Sequence, residues 1–412
     1  MHSGTPVVWY EDISLLICDD STWTFINQKP VRIGGDLLQI RSAGIFRLHL
    51  LLLDHEGTIW SCSKDDNQYN NQPIWFLNIE EDANKMQWLQ NIPQKINNLP
   101  AIRQISAGFG HALLLDYEAG VWGLGSNIYG QLAVNATETS FIRAPVRIQC
   151  LPEIASVHAN LHCSFFVDTD RALWAVGKNN QGNLGLDDIE HKSTPEKVLI
   201  DSAVVNVVEI ASCLTLVVDE SSKIWFLALV DNVEWHSDCV LVPVSKTLSY
   251  IQANAKKIIS MLATNGLLYV DEEGHVWGLG NDVPSIFNMD DNVMPFVAPT
   301  KIEIPGDKKV TLIAGDEKYA FFLDENGEVW GCGDNSKGQL GLVNQQVLVP
   351  EKLEGLPKIQ AIYSNRGKTI FVDLEGNALG LGFSSATEIS PLLKGCKLSM
   401  PRAQFTAKSA RK

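Results

Sequence analysis

The 412-residue chain is short of positive charge: 33 Lys and Arg face 48 Asp and Glu, a formal net charge of −15. Nucleic-acid binders carry a basic footprint, so no direct nucleic-acid partner is expected. An acidic surface instead steers toward basic partners. No apolar run reaches the ~18 residues of a membrane-spanning helix, so no transmembrane segment is expected. The opening MHSGTPVVWYEDISLL has no basic region followed by a long apolar stretch, which argues against a secretory signal peptide. The eight cysteines are scattered, without a single C-x-x-C pair. That spacing speaks against a zinc site and a disulfide framework, and for free thiols used as small core hydrophobes in a reducing compartment. There is no Gly-Lys-Ser/Thr phosphate loop and no Gly-x-Ser-x-Gly elbow. No catalytic residue, cofactor or metal is therefore expected. A long stretch of 3.6-residue apolar periodicity is missing as well, which removes helical solenoids.

What the chain does have is a repeat. An apolar run ends in Asp, and a Trp follows six residues after that Asp. The pairs are Asp54/Trp60, Asp116/Trp122, Asp168/Trp174, Asp219/Trp225, Asp271/Trp277 and Asp324/Trp330. A seventh copy keeps Asp373 but has Leu379 in place of Trp, and a degenerate copy ends at Trp23. Each copy reads as a β-hairpin: a dense apolar strand, a turn rich in Gly and Asn, and a returning strand opened by Trp. A Trp at every such place would fill the space between adjacent sheets. Gly-x-Gly follows Trp122, Trp277 and Trp330, and Asn-x-x-Gly-Gln/Asn-Leu recurs at 127–132, 179–184 and 335–340. Later in six of the periods comes Pro-x-Lys/Arg-aliphatic, as in Pro145-Val-Arg-Ile148, which suits an outer strand. With a further short strand before each hairpin, every period supplies four strands, the content of one propeller blade. The predicted fold is an all-β, seven-bladed propeller over residues 1–395. The copies at the two chain ends would contribute to one closing blade, with eight separate blades the alternative. Residues 396–412 form a basic tail, either a solvated end or a short basic peptide for an acidic partner, a targeting receptor or an anionic membrane.

The segments 111–132, HALLLDYEAGVWGLGSNIYGQL, and 319–342, YAFFLDENGEVWGCGDNSKGQLGL, resemble the repeats of the regulator of chromosome condensation family. The resemblance runs over about residues 7–395. It implies a propeller that binds proteins through one face, and it implies regulation of a small GTPase of the Ran or Rab kind. Its founding member is a guanine-nucleotide exchange factor that uses a protruding β-wedge. The family's His before the apolar strand is kept at His49 and His111, and is replaced by Cys163, Leu214, Gly266, Tyr319 and Lys368 in the other copies. Trp225 is followed by Phe-Leu-Ala rather than Gly-x-Gly. The extra tryptophan clusters of the photoreceptor branch are missing.

A repeated residue builds the scaffold, whereas a site breaks the pattern. The repeated Asp and Trp therefore read as structural. The period from Trp60 to Trp122 is the longest, and its additional segment carries Asp65, Asp66, Trp75, Glu80, Glu81 and Asp82. A second irregular stretch carries Asp282, Asp290 and Asp291. Acidic loops with aromatic anchors suit a basic protein surface, although a tolerated surface insertion explains them too. His158 and His162 flank one strand and read as packing or solvent-facing residues rather than catalytic ones. Two functions stay open: a GTPase regulator, as an exchange factor or as a bacterial effector delivered into host cells, and a non-catalytic interaction scaffold. The expected state is a monomer in the cytoplasm, with the nucleus or a host cytoplasm as alternatives.

Overall fold

The structure is a computed structural model. It describes residues 39–46, 49–63, 93–134, 140–211, 214–221, 223–227, 258–263, 267–279, 300–316, 318–365 and 367–382, together with strands at 7–10, 13–17, 22–26, 29–33, 242–243, 248–252 and 390–391. Every regular element among them is a β-strand. The strands make eight antiparallel sheets, I to VIII in chain order. Sheet I holds β1 (Val7–Tyr10), β2 (Ile13–Ile17), β3 (Thr22–Ile26) and β4 (Lys29–Ile33). Sheet II holds β5 (Ile40–Phe46), β6 (His49–Asp54), β7 (Ile59–Ser63) and β8 (Gln94–Lys95). Sheet III holds β9 (Ile102–Ala107), β10 (His111–Asp116), β11 (Val121–Ser126) and β12 (Phe141–Arg147). Sheet IV holds β13 (Ile154–Ala159), β14 (Cys163–Asp168), β15 (Leu173–Gly177) and β16 (Lys192–Lys197). Sheet V holds β17 (Val204–Ala211), β18 (Leu214–Asp219), β19 (Lys223–Leu227), β20 (Val242–Pro243) and β21 (Leu248–Gln252). Sheet VI holds β22 (Ile258–Ala263), β23 (Leu267–Asp271), β24 (Val276–Leu279) and β25 (Thr300–Ile302). Sheet VII holds β26 (Val310–Asp316), β27 (Tyr319–Asp324), β28 (Val329–Asp334) and β29 (Gln346–Lys352). Sheet VIII holds β30 (Ile359–Asn365), β31 (Lys368–Asp373), β32 (Ala378–Leu381) and β33 (Ser390–Pro391).

Two details depart from the expected blade plan. The copy ending at Trp23 and the copy at Asp373 each complete a sheet of their own. Among the described residues, the chain ends do not merge into one closing sheet. Each end supplies four strands in sequence, so neither needs strands from the other. Sheet V has five strands in the order β17-β18-β19-β21-β20, because the long connection after β19 adds an extra pairing at Val242–Tyr250.

The dense apolar runs are explained by two-sided burial. Side chains alternate across a strand, yet every residue of β10 and β14 is buried. Ala112 and Leu114 pack toward sheet II with Leu51, Leu53 and Ile59. Leu113 and Leu115 point the other way and pack with Ile154, Val157 and Phe166 of sheet IV. Burying each of these leucines contributes about 2 kcal/mol, an upper figure because unfolded chains already hide some surface. The core is thus a series of layers between successive sheets. Trp122, Trp174 and Trp225 each join the layer between their own sheet and the one before it.

The inner strands of neighbouring sheets are stitched by side chains. Gln104 of β9 donates to Val157 O and accepts from Val157 N, and Ser106 Oγ accepts from Ala159 N. The ascending order on both strands means β9 and β13 run side by side in the same direction. Corresponding turns of sheets III and IV therefore emerge on the same face.

A bulge recurs at the second residue of the inner strand. The register shifts between Ile40 and Ser42, Ile154 and Ser156, Val310 and Leu312, and Ile359 and Ala361, and an equivalent break lies at Leu115/Asp116. A bulge leaves a residue unpaired, and in sheets II, III and VIII its side chain takes over the bonding. Arg41 Nε donates to Asp54 O and Arg103 Nε to Asp116 O, both at 3.0 Å. Their guanidinium arms continue to the next sheet, Arg41 to Ile102 O at 2.8 Å and Arg103 to Ile154 O and Ala155 O at 2.9 and 3.0 Å. Gln360 serves Asp373 O in sheet VIII.

Candidate partner-binding face

The two ends of each sheet are built differently. At one end sits the hairpin between the second and third strands. There Asp54 Oδ1 accepts the backbone N–H groups of Glu56 and Thr58 at 3.0 and 2.7 Å, and Oδ2 accepts Trp60 Nε1–H at 2.9 Å. The arrangement repeats at Asp116/Trp122 (3.0 Å), Asp168/Trp174 (2.9 Å), Asp219/Trp225 (2.9 Å), Asp271/Trp277 (2.9 Å) and Asp324/Trp330 (3.4 Å). A short acceptor in a turn mimics the backbone, and a charged acceptor strengthens each bond. Where Leu379 replaces Trp, Asn377 Nδ2 donates to Asp373 Oδ2 at 2.7 Å and supplies the missing donor. This face is occupied by the scaffold's own hydrogen bonding. Asp271, Glu273 and His275 bring three ligand atoms within 4.8 Å of one another. Both Asp271 oxygens are already engaged there, by the His275 backbone, the His275 ring and the Trp277 indole.

The opposite end carries the turn between the first and second strands and the loop that leaves the third. The Gly-x-Gly pair belongs to this end. Gly125 and Gly333 hold φ of 101° and 112°, a region open to glycine. A Cβ on them would lie 2.6 Å from Gly110 O and 2.4 Å from Lys318 O. The pair is thus a close crossing of two backbones. Beyond it, Asn127, Asn179 and Asn335 each accept through Oδ1 from the N–H five residues on, at 2.9, 2.9 and 2.8 Å. That loop drives Leu132, Leu184 and Leu340 into the interior, each 0% exposed.

On this face, loops of sheets III and IV assemble a cluster that sequence reasoning missed. Tyr129 lies 5.2 Å from the His162 ring and 5.0 Å from the His191 ring, with Lys178 Nζ 5.5 Å above it. Phe109 meets His162 edge-on at 6.1 Å and is 38% exposed. The one available signal was an aromatic residue inside the Asn-x-x-Gly-Gln-Leu motif at Tyr129. His162, read as a packing or solvent-facing residue, sits in the middle of this cluster, while His158 bonds Ser156 Oγ at 3.0 Å. Beneath the cluster His111 is fully buried. Its Nε2 donates to Ser164 Oγ, which donates to Gln131 O, at 2.8 and 2.7 Å. Burial, and then the nearby His162, lower its pKa to about 3, so the imidazole is neutral.

The acidic candidates Asp65, Asp66, Trp75, Glu80, Glu81, Asp82, Asp282, Asp290 and Asp291 lie outside the described residues, as does the tail 396–412. The strands flanking them fix where they leave the fold. Ser63, the last residue of β7, pairs with His49, and Leu279, the last of β24, pairs with Leu267. Both exits are at the end of the sheet opposite the Asp hairpins. Among the described cysteines, none of Cys62, Cys150, Cys163 and Cys332 is in a disulfide; Cys62, Cys163 and Cys332 are buried and Cys150 is exposed. Burial pushes the Cys62 and Cys332 thiols up to about 11 and about 12.

Eight antiparallel sheets in sequence make a β-propeller, and its repeats are similar to those of RCC1 proteins. Residues 326–369 match the family model for the Regulator of chromosome condensation (RCC1) repeat. The human RCC1-like G exchanging factor-like protein is 24% identical over 257 residues, covering 58% of this chain and 54% of that protein. The chain thus spans about half the length of that relative. The guanine nucleotide exchange factor SRM1 of Saccharomyces cerevisiae is 21% identical over 344 residues, covering 68% of this chain and 70% of that protein. The crystal structure of Prp20p from Saccharomyces cerevisiae, described with its binding properties to Gsp1p and histones, superimposes with a TM-score of 0.54 at 17% identity. It covers 76% of this chain and 81% of that one. No helix among the described residues is long and apolar enough to cross a membrane.

Proposed function

We propose that the chain is a protein-binding propeller that regulates a small GTPase of the Ran or Rab kind, acting as a guanine-nucleotide exchange factor. The observation that carries this reading is the 344-residue similarity to an exchange factor, over 68% of the chain. Exchange needs no nucleophile. A propeller that binds the nucleotide-free GTPase more tightly than the nucleotide-bound form shifts the population toward release. The face opposite the Asp hairpins suits that task. It carries the Phe109–Tyr129–His162 cluster, and the acidic candidate segments depart from it. With a net charge of −15, the chain favours a basic contact surface on the GTPase. The site of action on this reading is the cytoplasm or nucleus, with the chain working as a monomer.

The test is release of a fluorescent GDP analogue from purified Ran and Rab proteins on adding the propeller. Accelerated release from one of them, lost in Tyr129→Ala and in Asp66→Lys/Glu81→Lys, supports the proposal. Release at the spontaneous rate from every GTPase, with no preference for a nucleotide-free form, sinks it and leaves the interaction scaffold.

A further inference from the structure

We infer that the place left open at Ala155, between sheets IV and V on the hairpin face, receives an arginine side chain of a partner protein. The recurrent bulge of the inner strands falls at Arg41, Arg103, Ala155, Val205, Ile259, Thr311 and Gln360. In sheets II and III that residue is an arginine, and its guanidinium ties its own hairpin to the next sheet. Arg41 reaches Asp54 O, Ile102 O and, at 3.4 Å, the Tyr117 hydroxyl. Arg103 reaches Asp116 O, Ile154 O and Ala155 O. In sheet IV the same place falls to Ala155, the smallest residue of the set. The oxygens an arginine would serve there are Asp168 O and Val204 O. Among the described residues, no side chain donates to either. Asp168 O accepts the Arg171 N–H at 3.0 Å, just as Asp54 O accepts the Gly57 N–H at 3.3 Å beside its bond from Arg41. A carbonyl has two lone pairs, so Asp168 O keeps one for a further donor.

The border of this place selects its occupant. The residue after each hairpin Asp is held by the same backbone bond: Tyr117 N–H to Ala101 O at 3.2 Å, and Glu220 N–H to Ala203 O at 2.9 Å. Glu220 therefore stands in sheet V where Tyr117 stands in sheet III, at the spot where Arg41 meets a hydroxyl. An arginine entering at Ala155 meets a carboxylate instead, and a carboxylate accepts the guanidinium fork more strongly than a hydroxyl does. Glu220 is exposed, and among the described residues no cation pairs with it. Arg171, on the tip of sheet IV, donates to none of these oxygens. A lysine ammonium is a compact point charge, whereas a guanidinium spans carbonyls of two sheets at once, as Arg103 does. Ala155 is half-buried and Val205 is 48% exposed, so the place is reached from solvent. Glu153 and Asp170 are exposed on the neighbouring turns, and with the net charge of −15 they favour a basic segment. This place lies on the face opposite the Phe109–Tyr129–His162 cluster. It gives the chain a second contact surface, beyond the exchange reading and independent of it.

The test uses the full chain labelled with ¹⁵N, titrated with N-acetyl-arginine N-methylamide and with its lysine counterpart. The amides of Thr169 and Val205 follow the carbonyls of Asp168 and Val204, so they report a donor arriving on those oxygens. Both should shift saturably with the arginine probe, with an affinity about fivefold tighter than for the lysine probe. The amides of His55 and Tyr117 follow carbonyls already held by Arg41 and Arg103 and should stay in place. Ala155→Arg supplies the guanidinium from the chain itself. The probe's shifts should then vanish, and amides in 154–159 and 204–208 should exchange about tenfold more slowly. Glu220→Lys, a change at an exposed side chain, should abolish the shifts without touching the core. Equal affinity for the two probes overturns the assignment to arginine. Absence of saturable shifts in the unaltered chain, or their persistence in either variant, overturns the site. Neither result bears on nucleotide exchange, since no GTPase is present.

Discussion

Asn377 offers a sharp test of the hairpin chemistry. Six copies of the turn satisfy the Asp with an indole N–H, and the seventh uses Asn377 Nδ2 on Asp373 Oδ2. Asp373 is 5% exposed, so its second oxygen depends on that donor. Asn377→Ala removes the donor and leaves the backbone bonds from Glu375 and Asn377 to Oδ1. A hydrogen bond to a charged group is worth about 1.5–3 kcal/mol when its loss leaves a buried acceptor. At 1.4 kcal/mol per factor of ten, exchange of the backbone amides in 368–382 should quicken by about 10- to 150-fold, if those amides exchange by local opening. Leu379 occupies the register position of Trp330, opposite Phe371 as Trp330 is opposite Phe322. Leu379→Trp in the Asn377→Ala background therefore returns an indole donor to Asp373 and should recover most of the protection. Hydrogen exchange read by mass spectrometry on peptides from sheet VIII and, as a control, from sheet IV is the assay. Unchanged exchange in Asn377→Ala, or a double variant no slower than the single one, would refute the donor-replacement argument.

Arg103→Met keeps the aliphatic stem but takes the donors from Asp116 O, Ile154 O and Ala155 O, and should cost about 2 kcal/mol. Faster amide exchange should then appear in both 102–107 and 154–159; a change confined to sheet III would contradict an inter-sheet clamp. Gly108→Ala places a Cβ 2.1 Å from Asn160 O, so it forces sheets III and IV apart and should lower stability by about 1–3 kcal/mol; an unaltered melting curve would exclude that close approach. His111 is neutral when folded, with a pKa near 3, and binds a proton below about 6.5 once unfolded. Its contribution is complete above pH 6.5 and is lost as pH falls toward 3, by about 2 kcal/mol at pH 5; His111→Asn should flatten the fall in urea midpoint between pH 7.5 and 5, and an equally steep fall in that variant would clear His111.

How much of this was legible in the sequence depends on whether a feature repeats. Asp and Trp six residues apart revealed each hairpin, because a turn acceptor and an inter-sheet aromatic are needed once per sheet. Gly-x-Gly revealed the strand ends, though not that the second glycine is fixed by a crossing backbone. Arg41 and Arg103 were silent, since a donor at a bulge acquires its role only when the next sheet presents its carbonyls. His162, His191 and Lys178 were silent for the same reason, and Tyr129 showed only as an aromatic inside its loop motif: they come from separate loops of two sheets, and no spacing along the chain announces their meeting. The asymmetry runs deeper than missing signals. Asn377 replaces an indole and keeps its role, so the scaffold conserves a donor at a place rather than a residue type. Ser61 does the reverse, holding a place in the register while the leucine motif that closes over that place elsewhere is missing from the sequence after it. A repeat protein is therefore best read twice, once for the chemistry that every copy must satisfy and once for the copy in which a role is left undone.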